Sequence, residues 1–383
     1  MLPPPAVRPV RPVRPLHPVG SLHPVRSLHP VHAQRTQRTE HPQLTRPAGR
    51  FDHVVIDSEL LRDNPLNDPH RRPLLVYLPP GYDEDSGRRY PVIYVTPGYS
   101  GHAGMWFNRT PFRQPYPELV DALFASGEVP PALVVFADSW TSYGGGQFLD
   151  SPATGRYHSH LCDEIVPWID ARYRTLADRD HRALTGKSTG GYVAMVTPML
   201  RPDLFGALAT HAGDALFDVG YRTELTGRAR LLRDLYDGSY DRFLKDFRGR
   251  THGTEPGDLE LIEVYAYASA YSADEDGTVR IPFDDTGAMV PQIWDRWLAR
   301  DPVVMAGRPA YAEALRSLRA VWIEAGNKDE YHLDFGATAF RRALETAGVP
   351  DERVHFELFD GGHGGIEYRY PLALAWLSER MAA

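Results

Sequence analysis

Arg182-Ala183-Leu184-Thr185-Gly186-Lys187-Ser188-Thr189-Gly190-Gly191-Tyr192 is a short strand-like run that ends in Gly-Lys-Ser-Thr-Gly and passes straight into the helix-compatible Tyr192-Val193-Ala194-Met195. A serine at so abrupt a strand-to-helix turn sits on strained backbone with its hydroxyl presented outward, and flanking glycines leave room for close packing of strand on helix. The stretch therefore reads as a nucleophile elbow with Ser188 as the nucleophile. Gly186-Lys187-Ser188 is also how a phosphate-binding P-loop ends, but that loop needs a further glycine five residues earlier. His181 stands there, followed by an apolar strand where a P-loop needs inward-pointing amides. An inert Gly/Ser turn is the remaining alternative, and residues farther along the chain weigh against it.

The surrounding chain alternates short apolar runs with helical patterns. Val54-Val55-Ile56, Leu74 to Leu78, Val92 to Val95 and Leu133 to Ala137 read as strands before the elbow, with helices over Leu119 to Phe124 and Leu161 to Tyr173. Behind it come Ala207-Leu208-Ala209, then Ala320 to Ile323, a helix over Phe335 to Ala347, the strand Val354 to Leu358 and a last helix ending near Met381. Repetition of this kind predicts an α/β fold, a mostly parallel central sheet with helices on both faces. Gly213 to Pro302 breaks the alternation and is expected to be an insertion. It is rich in aromatics (Tyr221, Tyr236, Tyr265, Tyr267, Tyr271, Trp294, Trp297), which suit either a lid over a site or a packed accessory subdomain.

An activated serine needs a base within reach and an acid that fixes the base's tautomer. In the α/β-hydrolase arrangement these follow the serine in the order acid, then histidine. The strand Val321 to Ala325 runs into Gly326-Asn327-Lys328-Asp329-Glu330, a loop at the carboxyl end of the sheet where catalytic groups collect. Asp329 is the expected acid, with Glu330 the neighbour able to take the role. The last strand leads into Asp360-Gly361-Gly362-His363-Gly364-Gly365, which makes His363 the expected base. His332 and His211 could line the same pocket without being the base. Two backbone amides must then face the developing oxyanion. Thr189, after the nucleophile, supplies one; in the loop Thr96-Pro97-Gly98-Tyr99, Pro97 cannot donate, so Tyr99 is expected to supply the other beside Gly98.

These motifs resemble the esterase family of α/β hydrolases that includes esterase D-like, enterochelin esterase-like and antigen 85-like proteins. The likeness covers nearly all of residues 70 to 380. It rests on Val76-Tyr77-Leu78-Pro79-Pro80-Gly81-Tyr82, Ser151-Pro152-Ala153-Thr154-Gly155-Arg156-Tyr157, the elbow, Asp329-Glu330-Tyr331-His332 and Gly361-Gly362-His363. Many members carry His-Gly where this chain has Pro97-Gly98. The resemblance implies a triad at Ser188, Asp329 and His363 and a cofactor-independent serine hydrolase acting on a small-molecule ester or thioester through an acyl-enzyme. An acyltransferase using the same triad, or a non-catalytic ligand-binding protein on this scaffold, are the alternatives.

Bulk properties fit that expectation. The formal charge of -8 divides into about +7 for residues 1–50, which hold eight Arg and one acid, and about -15 for the rest. An acidic body lends no support to nucleic-acid binding. The single cysteine, Cys162, rules out an intramolecular disulfide and sits where a helix would bury it. No run is long and apolar enough for a membrane span and the start lacks a secretory signal, so a cytoplasmic protein is expected. Residues 1–50 hold eleven prolines and three Leu-His-Pro-Val repeats; they are expected to form a disordered tail, its histidines held apart by extended chain and so without a bound metal. The hydrolase domain is expected over 51–383, with the insertion at about 213–302.

Overall fold

A computed structural model describes residues 46–382. Among them one sheet of eight strands forms the frame: β1 (Arg50–Asp57), β2 (Arg71–Leu78), β3 (Val92–Thr96), β4 (Leu133–Phe136), β5 (Arg182–Lys187), β6 (Ala207–His211), β7 (Ala320–Gly326) and β8 (Val354–Phe359). Their spatial order is β1-β2-β4-β3-β5-β6-β7-β8. Pairings of β1 with β2 and of β2 with β4 are antiparallel; every other pairing is parallel. Around the sheet run α1 (Tyr116–Ala125), α2 (Val166–Arg172), α3 (Thr189–Leu200), α4 (Gly220–Tyr236), α5 (Tyr240–Gly249), α6 (Asp258–Tyr271), α7 (Pro291–Leu298), α8 (Pro302–Ala306), α9 (Pro309–Arg316), α10 (Leu333–Ala347) and α11 (Tyr370–Ala382). This is the α/β-hydrolase fold.

Strand alternation divides the interior in two. On β3, Val92 and Tyr94 join one core with Ile165 and Ile169 and with Tyr192, Met195 and Val196 of α3. Ile93 and Val95 join the other, with Val120 and Phe124 of α1 and Leu374 and Leu377 of α11. Ala183, Ala207, Ala209 and Ala320 belong to that second core, and their small side chains let the last helix lie close on the middle strands. Strands covered on both faces read as continuous apolar runs, which is why β2, β3, β4 and β7 stood out in the sequence.

The stretch between β6 and β7 is helical and packs inward. Tyr271 lies 5.8 Å from Tyr192 of α3 between ring centroids, and Trp297 lies 5.2 Å from Tyr271. Cys162 is buried, and burial pushes its thiol up to about 12, so it is an inert packed group. The expected tail falls mostly outside the described residues, as does its histidine repeat. Its boundary moves, however: Ala48 and Gly49 donate their amides to the Asp121 carboxylate at 2.9 and 2.8 Å and β1 opens at Arg50, so the folded part begins before Phe51. No described helix is long and apolar enough to cross a membrane, and no described cluster of side chains is arranged to hold a metal.

Candidate active site

Ser188 occupies φ 57°, ψ −127° between β5 and α3. Such a conformation costs about 1–3 kcal/mol in a non-glycine residue and persists only where its surroundings enforce it. Here the Ser188 amide donates to His211 O on β6 at 3.0 Å, and its carbonyl accepts from Tyr192 N at 3.0 Å. Gly190 makes the tight turn possible, since a Cβ there would overlap the Thr96 carbonyl of β3. Thr96 in turn donates its hydroxyl to Gly190 O at 3.1 Å, locking the end of β3 to the elbow.

His363 and Asp329 come together from the loops after β8 and β7. His363 Nδ1 lies 2.8 Å from Asp329 Oδ2, which leaves Nε2 as the imidazole's outer face. Asp329 is 4 % exposed, and its other oxygen accepts the Tyr331 amide at 2.9 Å, so the carboxylate cannot swing away from the ring. Glu330 does a different job: it accepts the His363 backbone amide at 2.7 Å, and that bond holds its carboxyl below the ordinary glutamate range. Tyr331 packs edge-on against the His363 ring at 4.8 Å.

The loop after β3 brings Gly98 against Ser188, close enough that an added Cβ would lie 3.5 Å from Ser188 Cβ. Tyr99 is pinned at both ends, its carbonyl accepting from Gly145 N at 2.7 Å and its hydroxyl donating to Tyr143 O at 2.6 Å. A buried ion pair supports the same loop: Arg72 Nη2 donates to Asp138 Oδ1 at 2.6 Å, and Asp138 Oδ2 accepts the amide of Ala103. Thr189 opens α3, where the first amides have no partner within the helix.

Ser188 and His363 line one cavity of about 840 Å³ together with Gly98, Tyr99, His211 and Glu330. His332 stands apart from it, exposed at the start of α10, because a left-handed turn (φ 61°) carries it outward. The insertion contributes Tyr221, Glu224 and Arg228 from α4 and Glu260, Glu263 and Tyr267 from α6. Its aromatics thus split: Tyr221 and Tyr267 face the cavity, whereas Trp294 and Trp297 are buried core.

Asp214 was not among the residues expected from sequence. It follows β6, is 3 % exposed, and its Oδ1 lies 3.5 Å from Ser188 Oγ while Oδ2 accepts from Tyr221 at 2.8 Å and Thr189 at 3.1 Å. Burial pushes its carboxyl up, against the pull of those hydrogen bonds. Its position past the carboxyl end of a parallel strand was the available signal; the start of the insertion at Gly213 concealed it.

Over residues 69–373, well over half of its length, the chain matches the family described as Putative esterase. A curated relative, an endo-1,4-beta-xylanase/feruloyl esterase of Xylanibacter ruminicola, is 31% identical over 134 residues, 34% of this chain; the match spans only 18% of that protein. Among solved structures, a ferulic acid esterase superposes with a TM-score of 0.55 at 20% identity, covering 87% of this chain and 98% of its own. An S-formylglutathione hydrolase from Agrobacterium tumefaciens gives 0.53 at 16% identity, covering 88% and 97%. Mycobacterium tuberculosis MPT51 gives 0.51 at 14%, covering 87% and 98%. The structural likenesses speak for the fold, and the family match for the lineage: this chain belongs to the Putative esterase family of α/β-hydrolase-fold proteins.

Proposed function

We propose that this chain is a serine hydrolase that cleaves a carboxylic ester or thioester through an acyl-enzyme. The observation that carries the reading is His363, backed by Asp329 at 2.8 Å, lining the same cavity as a serine on a strained strand-to-helix turn. His363 Nε2 takes the proton of Ser188 as Oγ bonds to the ester carbonyl carbon, and the carbonyl π pair moves onto oxygen. The amides of Thr189 and Tyr99 receive that oxyanion. Collapse restores the carbonyl, breaks the bond to the alcohol or thiol, and returns the proton from His363 to the departing group. Water repeats the sequence on the acyl-enzyme, releasing the acid and Ser188. Asp329 holds the tautomer and stabilises the imidazolium. Side chains, backbone amides and water suffice for each step.

The test is covalent labelling with a fluorophosphonate, joined to a panel of acyl esters that includes feruloyl esters because of the relative's name. Labelling and turnover by the native chain, both absent in Ser188→Ala, are expected. A folded native protein inert to both would overturn the reading; transfer to added alcohols in preference to water would redirect it to an acyltransferase.

A further inference from the structure

Lys187 precedes the nucleophile, and the hydrolytic scheme gives it no part. It is the register partner of His211, His211 is the partner of Glu324, and Glu324 is the partner of Glu357. Register partners in parallel strands share a face, so these four residues form one row across the carboxyl ends of β5 to β8. Three of the four are tied together. His211 Nδ1 lies 2.6 Å from Glu324 Oε1, Arg369 Nε donates to Glu324 Oε2 at 2.9 Å, and Arg369 Nη2 donates to Glu357 Oε2 at 2.5 Å.

The Lys187 end of the row is open. Its ammonium is half-buried and forms no ion pair among the described residues, although burial pulls its pKa down. His211 is 1 % exposed, and its Nε2 has no hydrogen-bond partner among the described residues. Both residues line the cavity that holds Ser188. The carboxylates whose charge reaches Lys187 are Glu367, Asp329, Asp214 and Glu330. Each is engaged elsewhere: Glu367 by Arg113 at 3.8 Å, Asp329 by His363, Asp214 by Tyr221, and Glu330 by the His363 amide. These carboxylates act on the Lys187 ammonium from a distance and none pairs with it directly, which leaves a partly buried cation able to take an anionic partner in contact. Beside it, Met105, Trp106, Tyr116 and Tyr370 line the same cavity and offer apolar wall.

We infer that Lys187 and His211 form an acyl-side subsite for a carboxylate, so that the favoured substrate is a half-ester or half-thioester of a short dicarboxylic acid. The acyl carbons lie along Met105, Trp106, Tyr116 and Tyr370, and the distal carboxylate meets the Lys187 ammonium. His211, held through Nδ1 by the Glu324 carboxylate, forms the wall of the subsite next to Lys187.

This inference rests on the ester-hydrolase reading, and two measurements keep the failures apart. The first compares kcat/KM for the 4-nitrophenyl monoester of glutaric acid with that for 4-nitrophenyl valerate, which has a neutral chain of the same length. The expected ratio exceeds ten in the native protein, stays above three in Lys187→Arg, and falls below one in Lys187→Met and Lys187→Gln. The second measures calorimetric binding of the monomethyl ester of glutaric acid and of methyl valerate to Ser188→Ala, which needs no turnover. Binding of the anionic ester at least tenfold tighter than the neutral one, lost in Ser188→Ala/Lys187→Met, supports the subsite. A native ratio of one or less, a ratio that Lys187→Met leaves in place, or equal binding of the two esters would overturn it. Discrimination in binding without labelling of Ser188 would instead sink the hydrolase reading and keep the subsite.

Discussion

Two neighbouring carboxylates show how finely the site is divided at the scale of single residues. Asp329 meets the imidazole of His363 at 2.8 Å, while Glu330 meets its backbone amide at 2.7 Å. Asp329→Asn replaces the acceptor by an amide that can enforce the wrong tautomer, so kcat is expected to fall by on the order of 10⁴-fold. Glu330→Gln keeps an acceptor for the amide and should lose less than about tenfold by the same accounting. Steady-state kinetics on the two variants separate the roles, and a reversed order would move the acid to Glu330. Tyr99→Pro removes one proposed oxyanion donor while leaving Ser188 in place. Turnover should drop about 10²–10³-fold, with fluorophosphonate labelling slowed in parallel; unchanged kinetics would exclude the Tyr99 amide.

At the scale of elements, α4 and α6 form a charged wall opposite the elbow. Arg228 Nη2 lies 2.6 Å from Glu224 and 3.5 Å from Glu263, and Tyr267 donates to Glu263 at 3.1 Å. Burial pushes the Glu263 carboxyl up to about 7, with Arg228 opposing the shift. The folded chain therefore holds this proton more tightly than the unfolded chain, whose glutamate releases it near its ordinary value. The stabilisation linked to that proton is complete in acid and is lost as pH rises through about 7. Glu263→Gln, which cannot ionise, should raise the melting temperature by about 2 °C at pH 8 and leave it nearly unchanged at pH 5. Equal effects at both values would remove Glu263 as the titrating group.

At the scale of the whole molecule, the insertion belongs to the core as much as to the site. Tyr271 packs on Tyr192 of the elbow helix and on Trp297, while Tyr221 reaches Asp214 beside Ser188. A flap that opened freely would have to leave this cluster, so amides of α6 should exchange with solvent within about tenfold of those in α3. Mass-spectrometric hydrogen exchange checks this; fast exchange confined to α4 through α7 would mark a mobile lid. The strands along the chain and the elbow turn were legible in the sequence because doubly covered strands are continuously apolar and because a serine between glycines at a strand end has few structural meanings. The meeting of Asp329 with His363, and the place of Ser188 at the strand-to-helix turn, have a related reason, since chain order after successive strands places these loops at one edge of the sheet. Asp214, the His211–Glu324–Arg369 chain and the open end at Lys187 were not legible. They depend on the register between strands and on side chains from separate elements meeting in a buried space. Sequence by itself determined the frame, where local pattern and strand-end position suffice. Only the tertiary structure decided which charges inside that frame are paired and which has no ion pair among the described residues, because pairing is set by distances of a few ångströms between residues far apart along the chain.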